Sequence, residues 1–133
     1  LVLVGIKKKE TKMALSKVVT SEGKCEVTFT VSPEAAHGAQ SVNIAGDFNS
    51  WSSTDNPMKQ AKDGSFSITL TLEPNREYQF RYLLDGIKWE NDWKADKYIP
   101  APYSNADNSV VVTNTDGLKK KTAKRTSSKK TEK

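Results

Sequence analysis

One cysteine and one histidine occur among the 133 residues. The lone Cys25 excludes an intramolecular disulfide, for which a reducing, cytoplasmic setting is the simplest reading, and on an apolar strand face it reads as core filler rather than a nucleophile. A single histidine leaves too few ligands for a zinc centre of the usual kind, and no cofactor or metal is expected. A Ser/His/Asp triad would have to use His37, beside Gly38 in a surface loop, where a solvated histidine is the simpler reading. There is no phosphate loop and no dinucleotide fingerprint. Long apolar runs are also missing, so no membrane span is expected. Leu1 to Ile6 is apolar, but Lys7-Lys8-Lys9 follows it rather than precedes it, the reverse of a secretory leader. Met13 is expected to be the natural start.

Charge is unevenly spread. The net +5 arises at the two ends: residues 118–133 carry eight Lys/Arg and one Glu, and residues 1–18 five Lys and one Glu. The segment between them, 19–117, holds eight Lys/Arg against fourteen Asp/Glu, a net of −6. A phosphate-binding surface on that segment is therefore disfavoured. The chain divides into an N-terminal extension (1–18) expected to be flexible, a single domain (19–117), and a disordered basic tail (118–133) too poor in apolar residues to fold. The tail clusters Lys119-Lys120-Lys121, Lys124-Arg125 and Lys129-Lys130 permit weak, sequence-independent contact with a polyanion, although a solubilising tail is the simpler reading.

Within 19–117, apolar residues recur with a period of two. Cys25, Val27, Phe29 and Val31 alternate with polar residues, as do Phe66, Ile68, Leu70 and Leu72, and then Tyr78, Phe80, Tyr82 and Leu84. Each run reads as a half-buried strand. Val42 and Ile44, Ile87 to Glu90, and Val110 to Val112 supply shorter ones. Asp85-Gly86 marks a hairpin, and the stretch from Asn91 to Asn108 reads as a long irregular loop. No segment shows a helical period. Six or seven short strands between turn signals predict an all-β, antiparallel β-sandwich.

Catalysis finds little support. Glu90, Asp92 and Asp96 cluster in the long loop, but a small sandwich offers little depth to raise an acid's pKa. All three read as solvated loop carboxylates. What remains is an aromatic and polar constellation. Trp51, Trp89 and Trp93 lie in or beside loops, where each is either partly buried core or part of a flat platform for sugar rings. Arg81 sits on the strand face opposite Tyr78, Phe80 and Tyr82, and Trp89 on the return strand can share that face if the register allows.

The stretch Val42-Asn43-Ile44-Ala45-Gly46-Asp47-Phe48-Asn49-Ser50-Trp51 resembles the signature of carbohydrate-binding module family 48. Tyr78-Gln79-Phe80-Arg81-Tyr82-Leu83-Leu84-Asp85-Gly86, Trp89 and Asn108-Ser109-Val110-Val111 match further family elements in the same order. This resemblance implies an immunoglobulin-like sandwich of the early-set type. It implies a non-catalytic module binding α-1,4/α-1,6-glucan such as glycogen or starch, with a glycogen-metabolism enzyme as a partner to tether or regulate. The family's hydrolytic barrel is absent from this sequence. Carried over, the sugar-binding residues are Trp51 and Trp89, stacking on glucose rings, and Arg81 and Asn108, bonding hydroxyls. Three departures stand out. Arg81 replaces a lysine, Ile87-Lys88 adds one residue before Trp89, and Tyr103-Ser104-Asn105-Ala106-Asp107 lacks a leucine to wedge beneath the sugar. The last departure motivates an alternative, a protein-interaction domain that keeps the fold and has lost sugar binding.

Overall fold

The computed structural model describes residues 14–101 and 106–120. Nine strands follow one another among them: β1 (Ala14–Val19), β2 (Cys25–Val31), β3 (Val42–Gly46), β4 (Lys59–Gln60), β5 (Phe66–Leu72), β6 (Glu77–Leu84), β7 (Lys88–Glu90), β8 (Lys97–Pro100) and β9 (Asp107–Val112). One sheet has the order β1-β2-β5-β4; the other runs β3-β6-β9-β8, with β7 paired to β6. All these ladders are antiparallel. The first order is that of immunoglobulin strands A-B-E-D, and β3-β6-β9 reproduces C-F-G. The protein is an immunoglobulin-like antiparallel β-sandwich. Among the described residues no helix is long and apolar enough to cross a membrane.

The period-two pattern explains the core. Cys25, Val27, Phe29 and Val31 point inward from β2 and are fully buried, as are Phe80 and Tyr82 from β6. The Phe29 ring meets Phe80 edge-on with centroids 5.1 Å apart, joining the two layers. Each such side chain contributes roughly 1.5–3 kcal/mol through burial. Cys25 is a free, buried thiol, as core filler should be. His37 is exposed and ends a single helical turn, α1 (Pro33–Ala36), in the left-handed region.

The described part of the N-terminal extension departs from expectation. Residues 14–18 are not a flexible lead-in but belong to β1, which pairs with β2 from Ala14↔Thr30 to Val19↔Cys25. Lys17 hides this strand in the sequence, because it takes a core-facing position opposite Val27. Its Nζ escapes sideways to Asp96 Oδ2 (2.6 Å) and the Val112 carbonyl (3.0 Å), linking the two sheets. An inward lysine on an edge strand also discourages pairing with other chains. The far boundary shifts too: Leu118 packs against the core, and the Lys119 carbonyl accepts the Val19 N–H. Residues 1–13, with Met13, and the basic clusters beyond Lys120 lie outside the described residues.

The loop from 91 onward is neither wholly irregular nor simply solvated. β8 lies within it, and Asp92 is fully buried rather than solvent-facing. Tyr82 donates to Asp92 Oδ2 at 2.6 Å. Asp92 Oδ1 accepts the Lys94 N–H, while its own N–H donates to Ser109 Oγ. Tyr98 then donates to the Asp92 carbonyl. The loop is thus anchored to β6, β8 and β9. Asp96 is likewise engaged, accepting the Val112 N–H besides its pair with Lys17.

Burial lifts the Asp92 carboxyl above its ordinary value of 3.8, against the opposing pull of the Tyr82 and Lys94 bonds. A carboxyl that holds its proton more tightly when folded contributes stability fully below its unfolded pKa and loses it as pH rises through the folded value. Relative to Asp92→Asn, the wild type should therefore lose stability as pH climbs from about 3.5 towards neutrality. Urea midpoints across that range measure this. Parallel pH profiles for the two proteins would contradict the buried-carboxyl account.

Candidate functional site

The turn leaving β3 is built residue by residue. At Gly46 a Cβ would lie 2.4 Å from the Gln79 carbonyl oxygen and 2.8 Å from Phe80 Cβ, so close approach of β3 to β6 excludes any side chain there. Asp47 to Asn49 then form one 3₁₀ turn. Phe48 packs on the core, against Phe29 and Tyr78. Asn49 closes the turn: its Oδ1 accepts the Gly46 and Ser52 N–H groups, and its Nδ2 donates to the Ile44 carbonyl and Asn56 Oδ1. Ser50 and Trp51 both take positive φ, 58° and 59°. That conformation is unfavourable for a bulky aromatic residue and persists only where its surroundings hold it.

Asp47 does much of that holding. Its Oδ1 accepts the Trp51 indole N–H at 3.0 Å, and its Oδ2 accepts the Gln79 backbone N–H at 2.7 Å. The Trp51 backbone N–H also donates to the Gly46 carbonyl. The half-buried ring is thereby fixed to the β3 edge of β6.

The outward face of the second sheet carries the rest. On β6, Gln79, Arg81 and Leu83 alternate with the core residues. Across one edge Ala45 pairs with Arg81 and Asn43 with Leu83. Across the other, Val110 pairs with Gln79, and Trp89 with Leu83. The same β9 register continued by two residues brings Asn108 beside Arg81. One row thus reads Ala45, Arg81, Asn108, and the next reads Asn43, Leu83, Trp89.

The register question at Trp89 is answered by the turn. Ile87 donates to the Leu84 carbonyl, and Asp85 and Gly86 both adopt positive φ, as a type I′ turn requires. Asp85 also accepts the Gln40 and Ser41 N–H groups. Pairing resumes at Leu84↔Lys88, so Trp89 emerges on the same face as Arg81 despite the added residue. Trp89 is 41% exposed. Trp93, 49% exposed, lies beyond β7 in the anchored loop and outside these two rows.

Arg81 is half-buried, makes no ion pair among the described residues, and has a buried Nε without a hydrogen-bond partner. Asn108 is only 7% exposed, and its amide nitrogen donates to Gln79 Oε1. Arg81, Trp89 and Asn108 thus share one face, with Trp51 tied to its edge. Sequence reasoning missed Asp47, Gln79 and Asn43. Asn43 and Gln79 were legible as the outward residues of their strands, whereas the role of Asp47 depends on the turn. Tyr103, Ser104 and Asn105, where a wedging leucine is lacking, lie outside the described residues.

Asp47→Ala should free the Trp51 ring while leaving the sandwich intact, at a cost of about 1–2 kcal/mol for the lost bonds. Near-ultraviolet circular dichroism should lose tryptophan fine structure while the far-ultraviolet spectrum is retained. An unchanged near-ultraviolet spectrum would contradict the tether.

Comparison with known proteins gives the family of the chain. Residues 19–99 match the profile of carbohydrate-binding module 48, the isoamylase N-terminal domain. The chain is similar to Protein PTST homolog 2, chloroplastic, of Arabidopsis thaliana, with 32% identity over 77 residues, covering 57% of this chain and 13% of that protein. Among solved structures it is similar to pullulanase type I from Bacillus subtilis complexed with maltose, with a TM-score of 0.44 and 21% identity, covering 74% of this chain and 13% of that one. The chain therefore spans only a small part of either relative. With the family profile matched over most of the sandwich, the chain belongs to the carbohydrate-binding module 48 family.

Proposed function

We propose that this chain binds α-glucan, such as glycogen or starch-like chains, on the outward face of its second sheet and catalyses no reaction on it. The observation that carries this reading is the register that puts Arg81, Trp89 and Asn108 in neighbouring rows of one face, with Trp51 fixed at the edge of β6. Two tryptophans offer flat apolar faces to the C–H faces of glucose rings. Arg81 supplies donors to hydroxyls, and Asn108 lies beside it. The three carboxylates offer no free catalytic pair: Asp92 is buried on Tyr82, Asp96 pairs with Lys17, and Glu90, at the end of β7, lies 3.4 Å from Lys88. As the biological use we propose tethering or regulating a glycogen-metabolism enzyme at the glucan. The buried reduced Cys25 suits a reducing compartment such as the cytoplasm.

The second reading, a protein-interaction domain that has lost sugar binding, is favoured by the near-complete burial of Asn108. Native gels cast with glycogen or amylopectin separate the two. The wild type should be retarded, Trp51→Ala and Trp89→Ala each less so, and the double variant not at all. Losing a stacked ring should weaken binding on the order of tenfold. A folded wild type that migrates unretarded would shift the assignment to protein interaction.

A further inference from the structure

Two buried side-chain atoms among the described residues stand without a hydrogen-bond partner: Asn43 Oδ1 and Arg81 Nε. They are chemically complementary, since one accepts and the other donates. The two residues also occupy neighbouring positions. Asn43 pairs with Leu83, and Ala45 pairs with Arg81, so Asn43 lies diagonally across from Arg81 on the same outward face. Such diagonal positions fall within reach of a long side chain. Ala45 and Leu83 flank this diagonal and also face outward, yet they are 0% and 4% exposed. Water is therefore excluded from the surface here. Each unmatched group carries a desolvation cost with no bond in return. Finding a donor and an acceptor unmatched on diagonal positions within the proposed sugar face indicates a pair arranged for a second side-chain setting.

We infer that Asn43 is a positioning residue for Arg81, a step that rests on the glucan-binding reading and deepens it. When a glucan chain seats on Trp89 and Arg81, the guanidinium turns until its Nε–H donates to Asn43 Oδ1. The two Nη groups of the rigid fork then present their donors to the sugar hydroxyls. This gives a reason for arginine at position 81. A lysine carries one rotating ammonium and has no Nε–H to leave with Asn43 while the remaining donors serve the ligand.

Calorimetric titration with maltoheptaose tests the inference on the whole chain, using Asn43→Leu and Asn43→Asp with either Arg81 or Arg81→Lys. Asn43→Leu removes the acceptor and should weaken binding about tenfold when Arg81 is present. Asn43→Asp keeps an oxygen acceptor and should stay within about twofold of the wild type. With Arg81→Lys, Asn43→Leu should cause no further loss. The Arg81 Nε–H signal in ¹⁵N NMR should shift on titration in the wild type and stay put in Asn43→Leu. Should Asn43→Leu fail to fold, as judged by thermal melting, Asn43→Ala takes its place. Wild-type affinity in Asn43→Leu would overturn the inference and leave the glucan face standing. Equal losses with Arg81 and with Lys at position 81 would overturn it as well, by making Asn43 merely structural. Absence of binding by the wild type would remove the glucan reading and this inference together.

Discussion

The backbone of β6 hydrogen-bonds to three different strands along its eight residues. On one edge it holds β3; on the other it holds β9 along its first half and β7 along its second. Each partner delivers one or more residues to the outward face: Asn43 and Ala45 from β3, Asn108 from β9, Trp89 from β7. A shift of one residue in any ladder would send that strand's contribution into the core. The inward residues of β6 forbid the shift, because Phe80 and Tyr82 are fully buried and fit only one layer of the sandwich. The same packing that stabilises the fold therefore fixes the face.

Two polar anchors extend this order to the irregular segments. Asp47 ties the Trp51 ring to the Gln79 backbone, so a residue in an unfavourable conformation stays oriented. Asp92 does the same for the far loop. Its carboxyl is buried on the Tyr82 hydroxyl, and its backbone is held by Ser109 and Tyr98. Tyr82, its own ionisation pushed well up by burial, remains the neutral donor in this bond. Burying these groups costs desolvation, offset by several hydrogen bonds to each. A side chain held in place before a ligand docks, as the Trp51 ring is, loses less entropy on docking.

Much of this was legible in one sequence, and the exceptions have physical causes. Alternation in β2, β5 and β6 predicted both the layers and the outward placement of Arg81, because burial on one face imposes a period of two. β1 escaped notice because Lys17 occupies an inward position, and only its reach to Asp96 and Val112 makes that tolerable. β4 escaped because two exposed residues carry no pattern. Asp92 was misread because a carboxylate in a loop is ordinarily solvated. Its burial depends on Tyr82 and Ser109, whose proximity only the folded sheet creates. The facing of Trp89 hinged on whether the turn at Asp85-Gly86 absorbs the added residue. The Leu83↔Trp89 pairing shows that it does, whereas sequence alone left the parity open.

In the proposed function the outward face of the second sheet, and no other surface, receives the glucan. The three tryptophans give three indole N–H signals that report on it directly in ¹H–¹⁵N NMR. Titration with maltoheptaose should move the Trp51 and Trp89 signals together, with one dissociation constant, and leave Trp93 in place. A shift of Trp93 alone, or three unmoved signals in a folded protein at millimolar sugar, would contradict the account.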